Sequence, residues 1–338
     1  MMKRVAVPTV VISALAIALG FGFAKNSLTA SAAIPGAPHT PADTSDTVTQ
    51  VSMRNVNFYV VPRAALRIRK LRGEMHAIRG GPVVFDDKNS FVIRLAYAEI
   101  GLTGDDITTL MNTHIFAYSG APLKKLHVQT KGSQLVQSGI MHKILDIPFE
   151  ITADVSVTPA GLIRLHPVKT RILGVDGNSL MRAFGLSLEK ILDLRKAVGV
   201  TVKGNDLFLD PTLILPPPRI EGHATAIRIE GNELVQTFGT VDAALPLIPP
   251  DTAAPAYMYY KGGVIHFGKL LMLDAQMQIV DLRPSGFFSF DLDRYKEQLV
   301  AGYSRTLPDL GLQVYMLGLD KLAANGASVA SFKGDSIR

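Results

Sequence analysis

The 338-residue chain has no cysteine and no tryptophan. Without cysteine there is no disulfide framework, no zinc ribbon, no thiolate iron–sulfur site and no cysteine nucleophile. Charge is sparse as well. Charged residues make up 19% and hydrophobic residues 47%, a balance that excludes intrinsic disorder for most of the chain. The first 33 residues hold no acid, only Lys3, Arg4 and Lys25, so beyond them 32 basic residues face 29 acids. That excess is mild, and no docking motif accompanies it, which argues against nucleic acid as a partner. Also missing are a G-x-S-x-G elbow, a P-loop, a G-x-G-x-x-G following a strand and an H-E-x-x-H pair. Asp274, Asp281, Asp291 and Asp293 sit beside expected strand ends and helix starts, where turn and cap roles account for them. The chain is therefore read as non-catalytic, with no metal and no cofactor.

What is present begins with an uncharged run at residues 5–24, preceded by Lys3 and Arg4. As a helix it would measure about 30 Å, the thickness of a bilayer core. Basic residues ahead of it favour export of everything that follows. Ala30-Ser31-Ala32 supplies the small-x-small pattern of a cleavage site. Residues 1–33 are thus expected to be a signal peptide or an N-terminal membrane anchor. The destination is the periplasm or the outer face of the cytoplasmic membrane. Residues 34–50, with Pro35, Gly36, Pro38 and Pro41 and no apolar period, read as a flexible linker.

The body alternates. Phe149, Ile151, Ala153, Val155 and Val157 share one face, and Glu150, Thr152, Asp154 and Ser156 the other. Period 2 with one polar face marks an antiparallel strand. Thr158-Pro159-Ala160-Gly161 turns the chain, and residues 162–172 return, with His166-Pro167 marking a bulge or an edge. The same grammar recurs at residues 56–61, 66–71, 91–97 and 126–136, and around the Lys203-Gly204-Asn205-Asp206 and Glu230-Gly231-Asn232 turns.

Two segments follow a helical period instead. Ile107, Leu110, Met111, His114 and Ile115 form an apolar stripe, with Thr103 or Asp105 as the cap. A second helix is expected over residues 178–198, its apolar side made of Leu180, Met181, Phe184, Leu188, Ile191 and Leu192, with Gly199 as its stop. A sheet with one apolar face must cover it, and two short helices cannot cover ten or more strands unless the sheet wraps them. The expected class is α+β: a long, strongly curved antiparallel β-meander wrapped around one or two amphipathic helices, with an apolar groove. A β-sandwich or two smaller sheets also satisfy the pattern.

The order of features from Phe91 to Phe238 resembles the LmeA-like family of exported bacterial phospholipid-binding proteins, and more loosely the tubular lipid-binding architecture. The resemblance rests on Ile100-Gly101-Leu102-Thr103-Gly104-Asp105-Asp106 and its helix, the Gly132 hairpin, the 149–157 strand with its Pro159-Ala160-Gly161 turn, the helix from Asn178 and the closing strands at Leu207 and Ile220. It implies a non-catalytic cleft that binds, and possibly shuttles, phospholipid or another acyl lipid. The groove candidates are Ile107, Leu110, Met111, Leu180, Met181, Phe184, Leu188, Ile191 and Leu192. A basic cluster provides Arg67, Arg69 and Arg72 as candidates for contact with a headgroup or membrane surface, against the plainer reading of a solvated strand face.

Residues 51–239 are expected to form this lipid-binding domain. Residues 240–338 form a β-rich extension with one helix over residues 292–303, either a subdomain or more of the same sheet. The competing reading is a structural or adaptor module of the envelope whose apolar interior is fully packed. A third, an envelope hydrolase, requires polar residues converging in a cleft, and no such set stands out.

Overall fold

The computed structural model describes residues 48–142, 145–177, 187–191, 194–241 and 246–324. The hydrophobic run at residues 5–24, the linker up to residue 47, and Leu180, Met181, Phe184 and Leu192 lie outside the described residues. The strands in chain order are β1 Thr49–Val61, β2 Ala64–Ala77, β3 Val83–Val84, β4 Phe91–Thr103, β5 Leu123–Lys131, β6 Gln134–His142 and β7 Asp146–Val157. There follow β8 Ile163–Ile172, β9 Val175–Asp176, β10 Val200–Lys203, β11 Asp206–Leu209, β12 Arg219–Glu221, β13 Ala224–Glu230 and β14 Glu233–Gly239. The last third contributes β15 Tyr257–Lys261, β16 Val264–Phe267, β17 Leu270–Leu273, β18 Gln276–Asp281, β19 Phe288–Asp291, β20 Tyr303–Thr306 and β21 Leu312–Met316. Helices are short: α1 Gly104–Leu110, α2 Leu188–Ile191, α3 Tyr295–Val300 and α4 Leu319–Ala324. None of the described helices is long and apolar enough to cross a membrane.

The chain is β-rich α+β, and its sheets are mainly antiparallel. The single meander expected from the sequence divides into three sheets. The largest runs β13-β14-β4-β2-β1-β15-β18-β21-β20, with β12 added on β4 and β19 on β1. The second runs β10-β11-β8-β7-β6-β5, with β9 on β8, and the third is β17-β16-β3. A true meander survives only over β5 to β8. Four pairs are parallel, β1 with β19, β4 with β12, β16 with β3 and β18 with β21, and each needs a long return path. Because β1 pairs with β15 and β19, the C-terminal strands complete the same large sheet.

Three local expectations are corrected. Thr49 and Gln50 belong to β1 and not to a linker; Thr49, Val51 and Met53 alternate into the core. Of the helix expected over residues 178–198, the described part is helical only at Leu188–Ile191, and residues 194–198 turn, with Ala197 N–H donating to the Leu194 carbonyl at 2.9 Å. The C-terminal helix stops at Val300, and Tyr303 lies exposed in β20, stacked on Tyr315. The β7–β8 register skips Val168 between Thr152↔Lys169 and Ala153↔Pro167, a bulge directly after the expected His166-Pro167 position.

The core of the large sheet is closed by aromatic side chains. Phe85 meets Tyr260 at 5.2 Å and Phe267 at 5.3 Å, both edge-on, and Phe58, Phe288 and Phe290 continue the cluster. Each such pair adds about 0.5–1.5 kcal/mol beyond its buried area. Buried polar groups there are mostly satisfied. Gln298 donates to the Ser289 and Leu317 carbonyls and accepts from Asp291 N–H, at 2.8, 2.9 and 3.0 Å.

Candidate functional site: an apolar cavity between two sheets

The site begins at the end of β4. Thr103 caps α1: its hydroxyl accepts from Asp106 N–H at 3.1 Å, and the Asp106 carboxylate accepts from Thr103 N–H at 2.9 Å, a reciprocal capping box. Asp106 also accepts from Ala65 N–H at 3.0 Å, tying the helix start to β2. One face of the helical segment then supplies polar partners to β5. The Thr108 hydroxyl accepts from Val128 N–H at 2.8 Å, and the Asn112 side chain accepts from Leu126 N–H and donates to the Leu126 carbonyl, at 3.0 and 2.7 Å. With its polar face committed to that strand, the segment turns Ile107, Leu110, Met111 and Ile115 the other way.

After Leu110 the helix widens to a π-turn over Met111–Ile115, closed by Phe116 N–H donating to the Met111 carbonyl at 2.9 Å. The extra residue per turn breaks the stripe expected from the sequence and leaves His114 exposed. Met111 and Ile115 stay on the apolar side.

These residues line a cavity with Leu66, Ile100 and Leu102 from the large sheet, Leu135 and Met141 from β6, Phe149, Ile151 and Ala153 from β7, and Ile163, Leu165 and Ile172 from β8. Leu188, Val200, Leu207 and Leu209 close the far side. Among the described residues, Gln137, Thr170 and Gln236 are the polar members of the lining, and none of it is charged. Counted out to its open mouth, the atom-free space is about 1590 Å³. An apolar space of this kind stays dry and takes apolar guests.

Of the expected groove residues, Ile107, Leu110, Met111 and Leu188 are brought together at this cavity, and Ile191 closes α2. The sequence reading missed the larger part of the wall, which comes from β6, β7, β8 and β11. The inward face of the 149–157 alternation was the available signal.

The arginines stand elsewhere. Leu66 and Ile68 enter the core side of β2, so Arg67 and Arg69 project from its opposite face, away from the cavity. There they meet carboxylates. Arg67 pairs with Glu233, and Arg69 reaches Glu230, Glu233 and Glu99 at 2.7, 3.0 and 3.2 Å. Arg228 adds contacts to Glu99 at 2.7 Å and Glu230 at 3.1 Å. Burial works to raise the Glu99 carboxyl, but hydrogen bonds and charge from Arg228 and Arg69 outweigh it and hold it below the usual range. Gly101 makes this packing possible, since a Cβ there would lie 2.5 Å from a Glu233 carboxylate oxygen. Three guanidiniums thus balance three carboxylates. Arg67 and Arg69 thus stand on the face away from the cavity, each paired with carboxylates. Arg72, half-buried, projects from that same outer side, while Leu71 enters the core.

Among the described residues no group of three His, Asp or Glu side chains is placed to hold a metal ion. No family model, curated protein or solved structure matches this chain.

Proposed function

We propose that this protein is an exported, non-catalytic carrier that binds phospholipid or another acyl lipid in the cavity beside α1. The observation that carries the reading is a cavity lined mainly by aliphatic side chains, with no charged residue among the described ones. Each methylene moved from water into such a space contributes about 0.8 kcal/mol, with no directional contact required. A fully packed structural module would not retain this space.

The packing at its two edges supports a curled second sheet. Six strands from β10 to β5 laid flat would separate the outer strands by about 24 Å. Yet Leu123 and Leu126 of β5 share one apolar cluster with Leu188, Leu194, Ala197 and Val200 beside and on β10, with Met141, Phe149, Leu207 and Leu209 packed against it from β6, β7 and β11. Edges drawn into one cluster favour a sheet that curls over what lies between. This is the arrangement expected of the LmeA-like resemblance, and the uncharged run at residues 5–24 behind Lys3 and Arg4 supports export to the envelope.

Contact with a membrane surface is better served by the end of the second sheet than by the arginines. Leu145, Leu173 and Val175 are 71%, 65% and 56% exposed there, with Leu173 N–H bonded to the Pro148 carbonyl. Lys124 and Lys125 lie close enough for their charge to act on Asp146. Apolar side chains beside lysines suit an anionic lipid surface.

The test is to purify the protein without its leader and identify extracted lipids by mass spectrometry. About one acyl lipid per chain is expected. A protein that carries none and takes up no labelled phospholipid contradicts the reading.

A further inference from the structure

Two of the three polar residues named in the cavity wall, Gln137 and Thr170, share one row of the second sheet, while Gln236 stands on β14. Val128, Gln137, Ile151 and Thr170 pair in one row across β5, β6, β7 and β8, and all four line the cavity. The rows on either side, Leu135–Ala153–Pro167 and Gly139–Phe149–Ile172, are apolar. Thr170 is 2% exposed, and its hydroxyl finds no hydrogen-bond partner among the described residues. A Cβ on Gly177 would lie 3.1 Å from the Thr170 methyl, so the methyl is packed while the hydroxyl goes unused. Two other buried polar atoms share that condition, Thr49 Oγ1 and Gln313 Nε2, but neither residue lines the cavity. On the other side of Ile151, the Gln137 side chain likewise makes no hydrogen bond to another described residue.

A buried hydroxyl without a partner is costly, and a guest carrying an acceptor at that depth removes the cost. With no cation among the described residues of the wall, an ionised carboxylate is disfavoured at this level. Building on the acyl-lipid reading above, we infer that Thr170, with Gln137 across Ile151, forms a hydrogen-bonding row that selects a neutral ester carbonyl of the guest. The protein then distinguishes ester-linked acyl lipids from chains of equal length that lack the carbonyl.

The probes are a diacyl phosphatidylglycerol and its dialkyl ether analogue, matched in headgroup and chain length, each competing against a fluorescent acyl probe. The wild-type protein is expected to favour the ester lipid about five- to tenfold, the worth of one neutral hydrogen bond. Thr170→Val is expected to bring the ester affinity down to that of the ether, leave the ether affinity unchanged, and melt no lower than wild type. Thr170→Ser is expected to keep the preference. Equal binding of both lipids by the wild type, or a preference that survives Thr170→Val, overturns the inference while the lipid-carrier reading stands. Binding of neither lipid overturns both.

Discussion

Two regions of this protein are built from the same alternating strands and end with opposite interiors. In the large sheet the 13-residue β1 buries seven residues, and in the second sheet the 12-residue β7 buries only Ala153. The difference lies in side-chain size. Phe58, Phe85, Phe91, Phe267, Phe288, Phe290, Tyr260 and Tyr295 reach across the large sheet's core and fill it. Among the described residues of the cavity wall only Phe116, Phe149 and Phe238 are aromatic, and most of the rest are aliphatic side chains that leave space between them. Alternation sets which face is apolar. The volume carried on that face decides between a core and a container.

Equal truncations are expected to separate the two regions most sharply. Phe288, fully buried among Phe290 and its neighbours, should cost about 3–5 kcal/mol as Phe288→Ala in urea unfolding. Ile151→Ala, in a wall already facing empty space, should cost under about 2 kcal/mol. Similar losses at both positions would erase the distinction.

Enlarging a side chain asks the reverse question. Ala98 is fully buried in the packed core, and Ala98→Leu should destabilise by about 1–3 kcal/mol through overpacking. Ala153→Leu places the same added volume in the cavity and should cost under about 1 kcal/mol while reducing phospholipid uptake about tenfold.

Acid provides a third lever, here read at the rim of the packed region. The Tyr295 hydroxyl donates to Asp86, and Lys296 stands 3.0 Å away, so the Asp86 carboxyl is held below its usual range. A depressed carboxyl contributes stability above its unfolded value of about 4, and that contribution disappears as pH falls through the folded value. Asp86→Asn should therefore lower stability by about 1 kcal/mol at pH 7, allowing for partial exposure, and the gap to wild type should close below about pH 4. Thermal unfolding from pH 7 to pH 3 reads this directly.

The smallest effect on stability is expected at the arginine face. Arg228→Ala breaks half-exposed pairs worth under about 1 kcal/mol and should leave sedimentation with anionic vesicles unchanged. Leu173→Glu should be equally mild in unfolding yet weaken that sedimentation several-fold.

Local features were legible in the sequence because they are decided locally. The alternation from Phe149 to Val157, the Gly132 and Gly204 hairpins and the Thr103 cap depend on residues within a few positions of each other. Pairings such as β1 with β15 or β18 with β21 depend on distant segments competing for the same edge, and no local period announces them. The ion pairs of the arginines were hidden for the same reason. Glu99, Glu230 and Glu233 lie 30 to 166 residues from Arg67 and Arg69 along the chain, so their neutralising charge was invisible until the sheet brought β2, β4 and β14 together. Ile107, Leu110 and Met111 were found as a helical stripe, whereas the opposing wall of Ile151, Leu165 and Leu207 needed the strand order of the second sheet.

The most direct measurement is a crystal structure of the protein loaded with a phospholipid brominated along its acyl chains, the bromines located by anomalous scattering. Bromine between Ile151, Leu165 and Leu207 on one side and Met111 on the other is the predicted result. Bromine confined to the outer surface, or absent at saturating lipid, contradicts the account.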